Sequence, residues 1–335
     1  MVEEVKLLLA GDAMLGRGVN QVIRRHDPEY PLEQLAAITR NAGLFFTNLE
    51  CAISPHDRLY SGPPKVFYFR ADPPAAETLV YAGVDLVSLA NNHALDAGYS
   101  GLLDTLAILE EKGIAQVGAG PDLNLAQQPA ILEVNGVRLA VLGCCDHQDD
   151  FAAGEHRPGI NYVDLSDPAA PDWLAGQVAV LAAQVDHVIV AFHWMPNWVP
   201  RIPEFYRRLG RLLIEAGARV IWGHSPHHFL GMEWIGPDVI LYSTGGLVDD
   251  YALEPTFRND RQLLFYMTLK RKAVAKVRAL PIELGFARTA PATGEARAWI
   301  ARRFSELCAD AGSRVEQRGN WLDVLPDSLT QQNHG

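Results

Sequence analysis

The chain has 335 residues, of which 48% are hydrophobic and 21% are charged, a composition typical of a globular protein with a full-sized core. Its formal net charge of -11 argues against a nucleic-acid-binding surface, because such surfaces are strongly basic. Four scattered cysteines are too few for a disulfide framework or for a zinc site with cysteine ligands.

The first residues, MVEEVKLLLAGD, contain neither the basic segment nor the long apolar segment of a signal peptide. No stretch approaches the ~18 consecutive apolar residues that a membrane span requires. We therefore expect a cytoplasmic protein without a membrane span, whose partner is a small molecule or a peptide rather than nucleic acid. The sequence leaves the oligomeric state open.

Short apolar runs predict strands at residues 5–10, 44–49, 84–90, 139–143, 187–192, 220–222 and 239–242. Helical patterns lie between several of them, at residues 31–41, 101–112, 175–185 and 204–216. Asn135-Gly136 predicts a tight hairpin, and further hairpins are expected over residues 232–242 and 262–280. Because the runs lack polar alternation, they indicate an α/β protein whose sheet is covered on both faces.

An amphipathic helix is predicted near the end of the chain, at about residues 294–311. No change in composition marks a domain boundary. We therefore predict a single domain over residues 1–335, with this last helix packed on it.

Polar side chains follow five of the predicted strands at their carboxyl ends, where ligands bind in α/β sheets. They are Asp12, Glu50, the run Asn91-Asn92-His93 with Asp96 just beyond it, His193, and the pair His224 and His227. Carboxylate, amide and imidazole groups suit Mn, Fe or Zn without any thiolate ligand. The sequence therefore predicts a site for one or two divalent metal ions at this rim.

Each residue of this rim also has a simpler interpretation when it is taken alone. Asp12 is an ordinary residue to cap a loop, Glu50 can cap a helix, and His193 is as typical of a packed core as of a metal site. The shared site is favoured because chance would have to place such groups at five strand ends. The remaining histidines of interest are assigned to packing or to the surface: His147, His156, His187 and His228.

These motifs resemble those of the CapA family, which is named for poly-γ-glutamate capsule proteins and is related to the calcineurin-like metallophosphoesterases. The resemblance covers about residues 5–310 and rests chiefly on Gly11–Arg17, Asn48–Glu50, Ala90–Asp96, His193-Trp194 and Gly223–His227. It implies a four-layer α-β-β-α, metallophosphatase-like sandwich, in which two mixed sheets lie between helices and the metal site lies at one end.

The resemblance also implies a set of metal ligands: Asp12 and His227 for one ion, Asn92, His193 and His224 for the second, and Glu50 as a bridge. Metallophosphoesterases usually carry a histidine two residues after the first aspartate, where this chain has Met14. One metal would therefore lack a ligand.

Roles in catalysis and in substrate binding follow from the same resemblance. His93 is expected to act as a general acid or as a donor to developing negative charge, with Asp96 fixing its tautomer. Arg17 is expected to bind an anionic group of the substrate. Independently of the resemblance, the loop aromatics Trp194 and Trp198 are candidates to hold a peptide side chain in an epimerase, with core packing favoured for Trp194.

Departures from the family pattern lie around the expected pocket, at Met195–Trp198, at Ser225 and at Ser243–Gly246. They indicate a substrate different from that of the family's namesake, and they leave three functions open. The first is metal-dependent hydrolysis of a phosphoester or of an amide or peptide bond of the γ-glutamyl type.

The second function is acid/base epimerisation at the α-carbon of a peptide, in peptide natural-product biosynthesis, with or without a metal. It would use Asp12 or Glu50 together with His93 or His227. The third function is non-catalytic assembly of a capsule polymer. It ranks last, because a binding protein has little need for acid, amide and imidazole groups on one rim.

Overall fold

The computed structural model describes residues 4–327. The strands of the first half of the chain are β1 (Glu4–Ala13), β2 (Leu44–Leu49), β3 (Ala52–Ile53), β4 (Arg70–Ala71), β5 (Leu86–Ser88), β6 (Ala115–Val117), β7 (Ala119–Gly120), β8 (Ala130–Val134), β9 (Val137–Cys145) and β10 (Gly159–Ile160). Those of the second half are β11 (His187–His193), β12 (Ala218–His224), β13 (Met232–Ile235), β14 (Asp238–Leu241), β15 (Gly246–Val248), β16 (Arg261–Lys270), β17 (Ala273–Gly285), β18 (Arg288–Pro291), β19 (Ser313–Arg318) and β20 (Trp321–Pro326).

The helices are α1 (Arg17–Arg25), α2 (Ala36–Thr39), α3 (Ala75–Ala82), α4 (Gly98–Glu111), α5 (Leu123–Ala126), α6 (Ala170–Ala182), α7 (Glu204–Glu215) and α8 (Gly294–Asp310). A short 3₁₀ turn lies at Asp149–Phe151. Over residues 4–327, none of the helices combines the length and the apolar character needed to cross a membrane.

Two mixed sheets form the centre of the molecule. The larger has the strand order β19-β20-β17-β16-β1-β2-β5-β6, with β15 also paired to β1 and β18 to β17; the smaller has the order β13-β14-β12-β11-β9-β8. The neighbours β1, β2 and β5 are parallel, as are β9, β11 and β12. Within each sheet the carboxyl ends of these strands therefore lie at one edge, which is where the predicted site residues are found.

Apolar side chains fill three layers between and outside the sheets. Leu7 and Leu9 of β1 face the smaller sheet, whereas Leu8 between them faces the helices that cover the larger sheet. On the other side, Leu174 of α6 and Leu213 of α7 pack on the outer face of the smaller sheet. Each buried leucine of this kind contributes about 1.5–3 kcal/mol. The predicted four-layer α-β-β-α arrangement of two mixed sheets is confirmed.

The last helix lies against the core between the two sheets. Ile300, Phe304 and Leu307 of α8 are buried there, so the helix that the sequence predicts at about residues 294–311 is confirmed. The hairpin β19–β20 that follows it was not predicted, because most residues of β19 are partly or fully exposed and show little alternation. The predicted domain also includes residues 1–3 and 328–335, which lie outside the described part of the chain.

All three predicted hairpins form, as β8–β9, β13–β14 and β16–β17. In the first, Asn135 and Gly136 have φ angles of 53° and 77°, the left-handed conformations that a two-residue turn of this type requires. The helix predictions were less accurate. The pattern at residues 31–41 yields only α2, and the helix predicted at 175–185 begins earlier, at Ala170. Helices α1 and α3 were not predicted.

The two sheets are joined by direct contacts close to the ends of their central strands. The indole N–H of Trp222 in β12 donates to the carbonyl of Ala10 in β1 at 3.0 Å. The Asp12 N–H donates at 2.9 Å to the carbonyl of Gly245, in the segment that connects β14 of the smaller sheet to β15 of the larger one. The backbones approach so closely that a Cβ added at Gly11 would lie 1.7 Å from the Gly245 oxygen. Only glycine at position 11 permits this junction.

We expect Gly11→Ala to destabilise the protein by about 1–3 kcal/mol, because the added methyl group meets backbone that cannot move independently. Thermal unfolding followed by circular dichroism measures the change. Gly176→Ala is the matched control. This exposed glycine lies inside α6 with open space around it, so alanine should raise stability by about 0.5–1 kcal/mol there. Equal melting temperatures for Gly11→Ala and the parent protein would contradict the first expectation.

Candidate metal centre

Four acidic and imidazole side chains converge from the two sheets. Asp12 ends β1 and Glu50 follows β2 in the larger sheet, whereas His193 ends β11 and His224 ends β12 in the smaller one. All four are buried, with exposed fractions between 0% and 2%. The fifth group, His227, follows His224 in the same loop. The strand ends named by the sequence thus come together at one place between the sheets.

The distances define two overlapping sets of donor atoms. In the first, His227 Nδ1 lies 3.3 Å from Asp12 Oδ2 and 3.8 Å from Glu50 Oε2. In the second, Asp12 joins His193 and His224, and within each set the ligand atoms lie within 4.8 Å of one another. Asp12 belongs to both sets. Glu50, which the resemblance names as the bridge, also reaches the second set, with Oε1 3.9 Å from His193 Nε2.

Asn92 joins the second set through its side-chain oxygen, which lies 3.1 Å from His193 Nε2. The other ring nitrogen of His193 lies 2.9 Å from Nδ1 of His224. All six residues predicted as metal ligands are therefore neighbours in the structure. Met14 is not among them, because its side chain is fully buried in the apolar core.

Four buried atoms that could bind a metal have no hydrogen-bond partner: Asp12 Oδ2, Glu50 Oε1, His224 Nε2 and His227 Nδ1. A buried polar atom without a partner costs about 1–3 kcal/mol, and more when it is charged. Such atoms are nearly always satisfied in native proteins. Two carboxylates and three imidazoles are ligands that a divalent ion accepts. The residues present therefore fit a divalent metal.

A chain of amide groups holds Asp12 in position. The Asn91 amide donates to Asn48 Oδ1 at 3.0 Å, and the Asn48 amide donates to Asp12 Oδ1 at 2.8 Å. Asn91 Oδ1 in turn accepts the backbone N–H of His93 at 2.9 Å. One oxygen of Asp12 is thus occupied, and the other is left for the cluster. Hydrogen bonds of this kind orient the ligands of metal sites.

Burial keeps the imidazoles of His193 and His224 neutral, whereas neighbouring charges favour a positive charge at His227. Burial lowers the pKa of His193 well below its usual value and that of His224 to about 4, so both rings are neutral at pH 7. Burial also acts to lower the pKa of His227, but Glu50 and Asp12 outweigh it and raise that pKa to about 9. Burial, followed by the charge of Asp12, raises the pKa of Glu50. A proton on His227 thus occupies the place of a cation.

His93 is held beside the cluster by three neighbours. Its Nδ1 lies 2.5 Å from Asp96 Oδ2, and its ring stacks on Phe69 with centroids 3.8 Å apart. Lys65 Nζ donates to Asp96 Oδ1 at 2.6 Å and contacts the carbonyl of Asn92. Burial lowers the pKa of His93 to about 4 despite Asp96. The neutral ring therefore donates from Nδ1 and presents a lone pair at Nε2.

The residues expected to bind the substrate have different positions. Trp194 is fully buried, and its indole N–H donates to the Tyr242 carbonyl at 2.8 Å, so it packs in the core, which is the use that the sequence favoured for it. The half-buried ring of Trp198 lies beside that of His227, with centroids 5.7 Å apart. Arg17 is 36% exposed and pairs with Asp250 at 3.3 Å.

The structure adds residues that the strand-end reasoning missed. The Tyr251 hydroxyl donates to Glu50 Oε2 at 3.3 Å, and burial raises the pKa of Asp249 to about 6. Both follow β15, whose carboxyl end the same rule would have found. His147, assigned to packing or to the surface, lies beside His193 with ring centroids 5.4 Å apart. Lys65 comes from an irregular loop, so no local pattern marks it.

We expect the affinity for Mn²⁺ or Zn²⁺ to rise with pH, because His227 must lose its proton before it can bind a metal. Its pKa of about 9 keeps the ring protonated below that pH. Affinity should therefore rise roughly ten-fold or more per pH unit between pH 6 and pH 8. Competition with a chromophoric chelator measures it. Affinity that does not change with pH, in the parent protein, would contradict the assignment.

Comparisons with known proteins place these motifs in a family. The family described as "Bacterial capsule synthesis protein PGA_cap" matches residues 6–251. A "Probable polyglutamine synthesis accessory protein" of Mycobacterium tuberculosis is 31% identical, over 96% of both chains. The "PGA biosynthesis protein CapA" of Bacillus subtilis is 29% identical, over 84% of this chain and 72% of the relative.

Among solved structures, a hypothetical protein from Thermus thermophilus superposes with a TM-score of 0.44 at 16% identity, covering 86% of this chain and 98% of that one. The sequence relatives are the ones that decide the family. The family match spans well over half of the chain, and the mycobacterial relative aligns over nearly all of it. This chain therefore belongs to the CapA-like family of bacterial capsule synthesis proteins, as its strand-end motifs predicted.

Proposed function

We propose that this protein is a metal-dependent hydrolase of a phosphoester or of an amide or peptide bond of the γ-glutamyl type. The observation that supports this proposal is the group of buried, unpartnered donor atoms on Asp12, Glu50, His224 and His227. The printed names of the relatives, which refer to polyglutamine synthesis and PGA biosynthesis, are consistent with a substrate built from glutamate.

The ligands divide between two positions. Asp12, Glu50 and His227 would hold one divalent ion, and His193, His224 and Asn92, with Asp12, would hold a second. An ion bound there supplies Lewis-acid chemistry, which polarises the bond to be cleaved and stabilises the negative charge that develops on it. Asn48 and Tyr251 keep the two carboxylates in position through the hydrogen bonds described above.

His93 moves the proton in this proposal. Asp96 occupies its Nδ1, so the lone pair at Nε2 accepts a proton from the attacking water and later returns it to the leaving group. Because its pKa is low, the ring starts neutral and acts first as a base; the general-acid role that the resemblance implies follows in the second step. Lys65 fixes Asp96, and the stacked ring of Phe69 covers one face of the imidazole.

Epimerisation of a peptide α-carbon is the second candidate. It is supported by two imidazole–carboxylate pairs beside the cluster, His93 with Asp96 and His147 with Asp146. One pair would remove the proton and the other would return it. Incubation of candidate peptides in deuterated solvent separates the two reactions: epimerisation incorporates deuterium without cleavage, whereas hydrolysis releases two products.

A non-catalytic role in polymer assembly is the third candidate, consistent with the word "accessory" in the mycobacterial relative's name. It predicts that Glu50→Gln and His93→Gln leave polymer production unchanged. Loss of production in both variants, with the fold intact, would favour an enzyme.

We expect purified protein to contain Mn, Fe or Zn and to lose turnover of a phosphoester and γ-glutamyl substrate panel when a chelator is added. His224→Ala should lower the metal content to below about a tenth of the parent value, because the loss of one ligand from a small set weakens binding strongly. Elemental analysis measures it. The control is His156→Ala, at a side chain that is 89% exposed. A folded parent protein that neither contains nor takes up any of these metals would count against the proposal.

His93→Gln should reduce kcat by about 10²- to 10⁴-fold, because the proton acceptor is lost. Its metal content should stay that of the parent protein, since His93 belongs to neither donor set. Steady-state kinetics combined with elemental analysis test this separation. A His93→Gln protein that turns over normally would remove His93 from the mechanism, and one that loses its metal would make it a ligand.

A further inference from the structure

A depression of about 550 Å³ lies on the surface beside the candidate metal centre. Its lining includes Asp146, His147, Tyr162, Asp164, Asn197 and Tyr206, and we call it the lateral depression. It is connected to the centre through His147, whose ring packs edge-to-face on that of His193. Its volume is in the range of pockets that bind small ligands.

The charged groups of the lateral depression are mainly negative. The exposed carboxylate of Asp164 accepts the backbone N–H and the hydroxyl of Ser166 at 2.9 and 2.6 Å. These hydrogen bonds lower the pKa of Asp164, so it is ionised at neutral pH. Among the residues that line the depression in the described part of the chain, none is lysine or arginine.

A second carboxylate forms the inner end of the depression. The side chain of Asp146 is only 4% exposed. Its Oδ2 accepts the Tyr206 hydroxyl at 2.9 Å, and its Oδ1 contacts Nδ1 of His147. The His147 imidazole thus has Asp146 at Nδ1 and the Ser225 hydroxyl at Nε2, 2.9 Å away. The exposed Asp164 accepts hydrogen bonds from uncharged groups of Ser166.

These carboxylates also affect the pKa of the Tyr162 phenol. Burial is the largest cause that raises its pKa, and the charges of Asp164, Asp149 and Asp146 follow. Burial and then the charge of Asp146 also raise the pKa of Tyr206. Both phenols therefore remain neutral, and their rings can lie against a cation.

Two cations near His93 are each paired with a carboxylate. The Arg17 guanidinium lies 5.5 Å from the ring centroid of Phe69, which stacks on His93, and it pairs with Asp250 at 3.3 Å. Lys65 is bonded to Asp96. Neither cation lines the lateral depression, so neither offsets the charge of Asp164 there.

We propose that the lateral depression is a substrate subsite that binds a primary ammonium group. The substrate class that fits is an amino acid derivative or a short peptide with a free amino group, and a run of unpaired carboxylates is repelled there. This inference rests on the proposed function only in taking the neighbouring centre as the place of reaction. The Asp164 carboxylate supplies the charge, and the rings of Tyr162 and Tyr206 supply the adjacent surface.

Binding of paired probes to the full-length, metal-free protein tests the subsite without any turnover. The probes are γ-L-glutamyl-p-nitroanilide, which has a free α-ammonium group, and its Nα-acetyl derivative, which lacks that charge. Isothermal titration or ligand-observed NMR gives both affinities. We expect the free amine to bind about five-fold or more tightly than the acetylated probe, because a favourable exposed charge pair changes affinity by about this factor.

Substitutions test whether the preference for the free amine arises in the lateral depression. Asp164→Asn should weaken binding of the free amine by about three- to five-fold and leave the acetylated probe unchanged. Asp146→Asn should weaken it no more than Asp164→Asn does, because the oxygens of the buried Asp146 already face Tyr206 and His147; thermal unfolding checks the buried site. The matched control, Asp167→Asn, changes an exposed carboxylate in the same loop that does not line the depression, and it should leave both affinities unchanged.

Equal affinity of the two probes, including no detectable binding of either, would overturn the proposal. So would an advantage of the free amine that persists in Asp164→Asn. These outcomes are separate from failure of the proposed function. A protein that takes up no metal and cleaves no substrate can still prefer the free amine, and an active hydrolase can bind both probes equally.

Discussion

The close contact between Gly11 and Gly245 is the constraint on which the site depends. It holds β1 of the larger sheet against the segment that connects β14 of the smaller sheet to β15, and the two sheets carry different parts of the same cluster, the carboxylates on one and the imidazoles on the other. The indole of Trp222 reinforces the junction through the Ala10 carbonyl. Because each sheet is rigid, fixing one strand of each sheet fixes the distance between donors that are far apart in the chain.

The cluster is built at a cost to stability that a bound cation would reduce. Two carboxylates and three imidazoles are buried together, and four of their polar atoms have no hydrogen-bond partner. The loops around them also contain non-glycine residues in left-handed conformations: Met195, Trp198, Ser225 and His227, with φ between 60° and 109°. Unfavourable backbone of this kind persists where surrounding contacts hold it, often at functional sites. Burial, charge and backbone conformation all indicate the same place.

Two different charged environments adjoin the cluster. Near His93, Arg17 and Lys65 are paired with Asp250 and Asp96, and Arg17 lies over the rings of Phe67 and Phe69. Beside His147, Asp146 and Asp164 line the lateral depression, which has no lysine or arginine among its lining residues in the described part of the chain. The proposed metal ligands lie in the motifs that resemble those of the family. Pro196 and Asn197, which line the lateral depression, belong to a segment that departs from the family pattern, so this is where we expect a particular substrate to be selected.

The sequence alone determined which strand ends carry donor groups, and its resemblance to the CapA family implied the four-layer fold. The strand ends and turns are local features: a buried strand needs an apolar run, and a turn such as Asn135-Gly136 needs left-handed backbone. Tertiary structure decided what no local pattern records. Lys65 reaches Asp96 from an irregular loop, and His147 meets His193 from another strand, because side-chain direction is set by packing between elements distant in the chain.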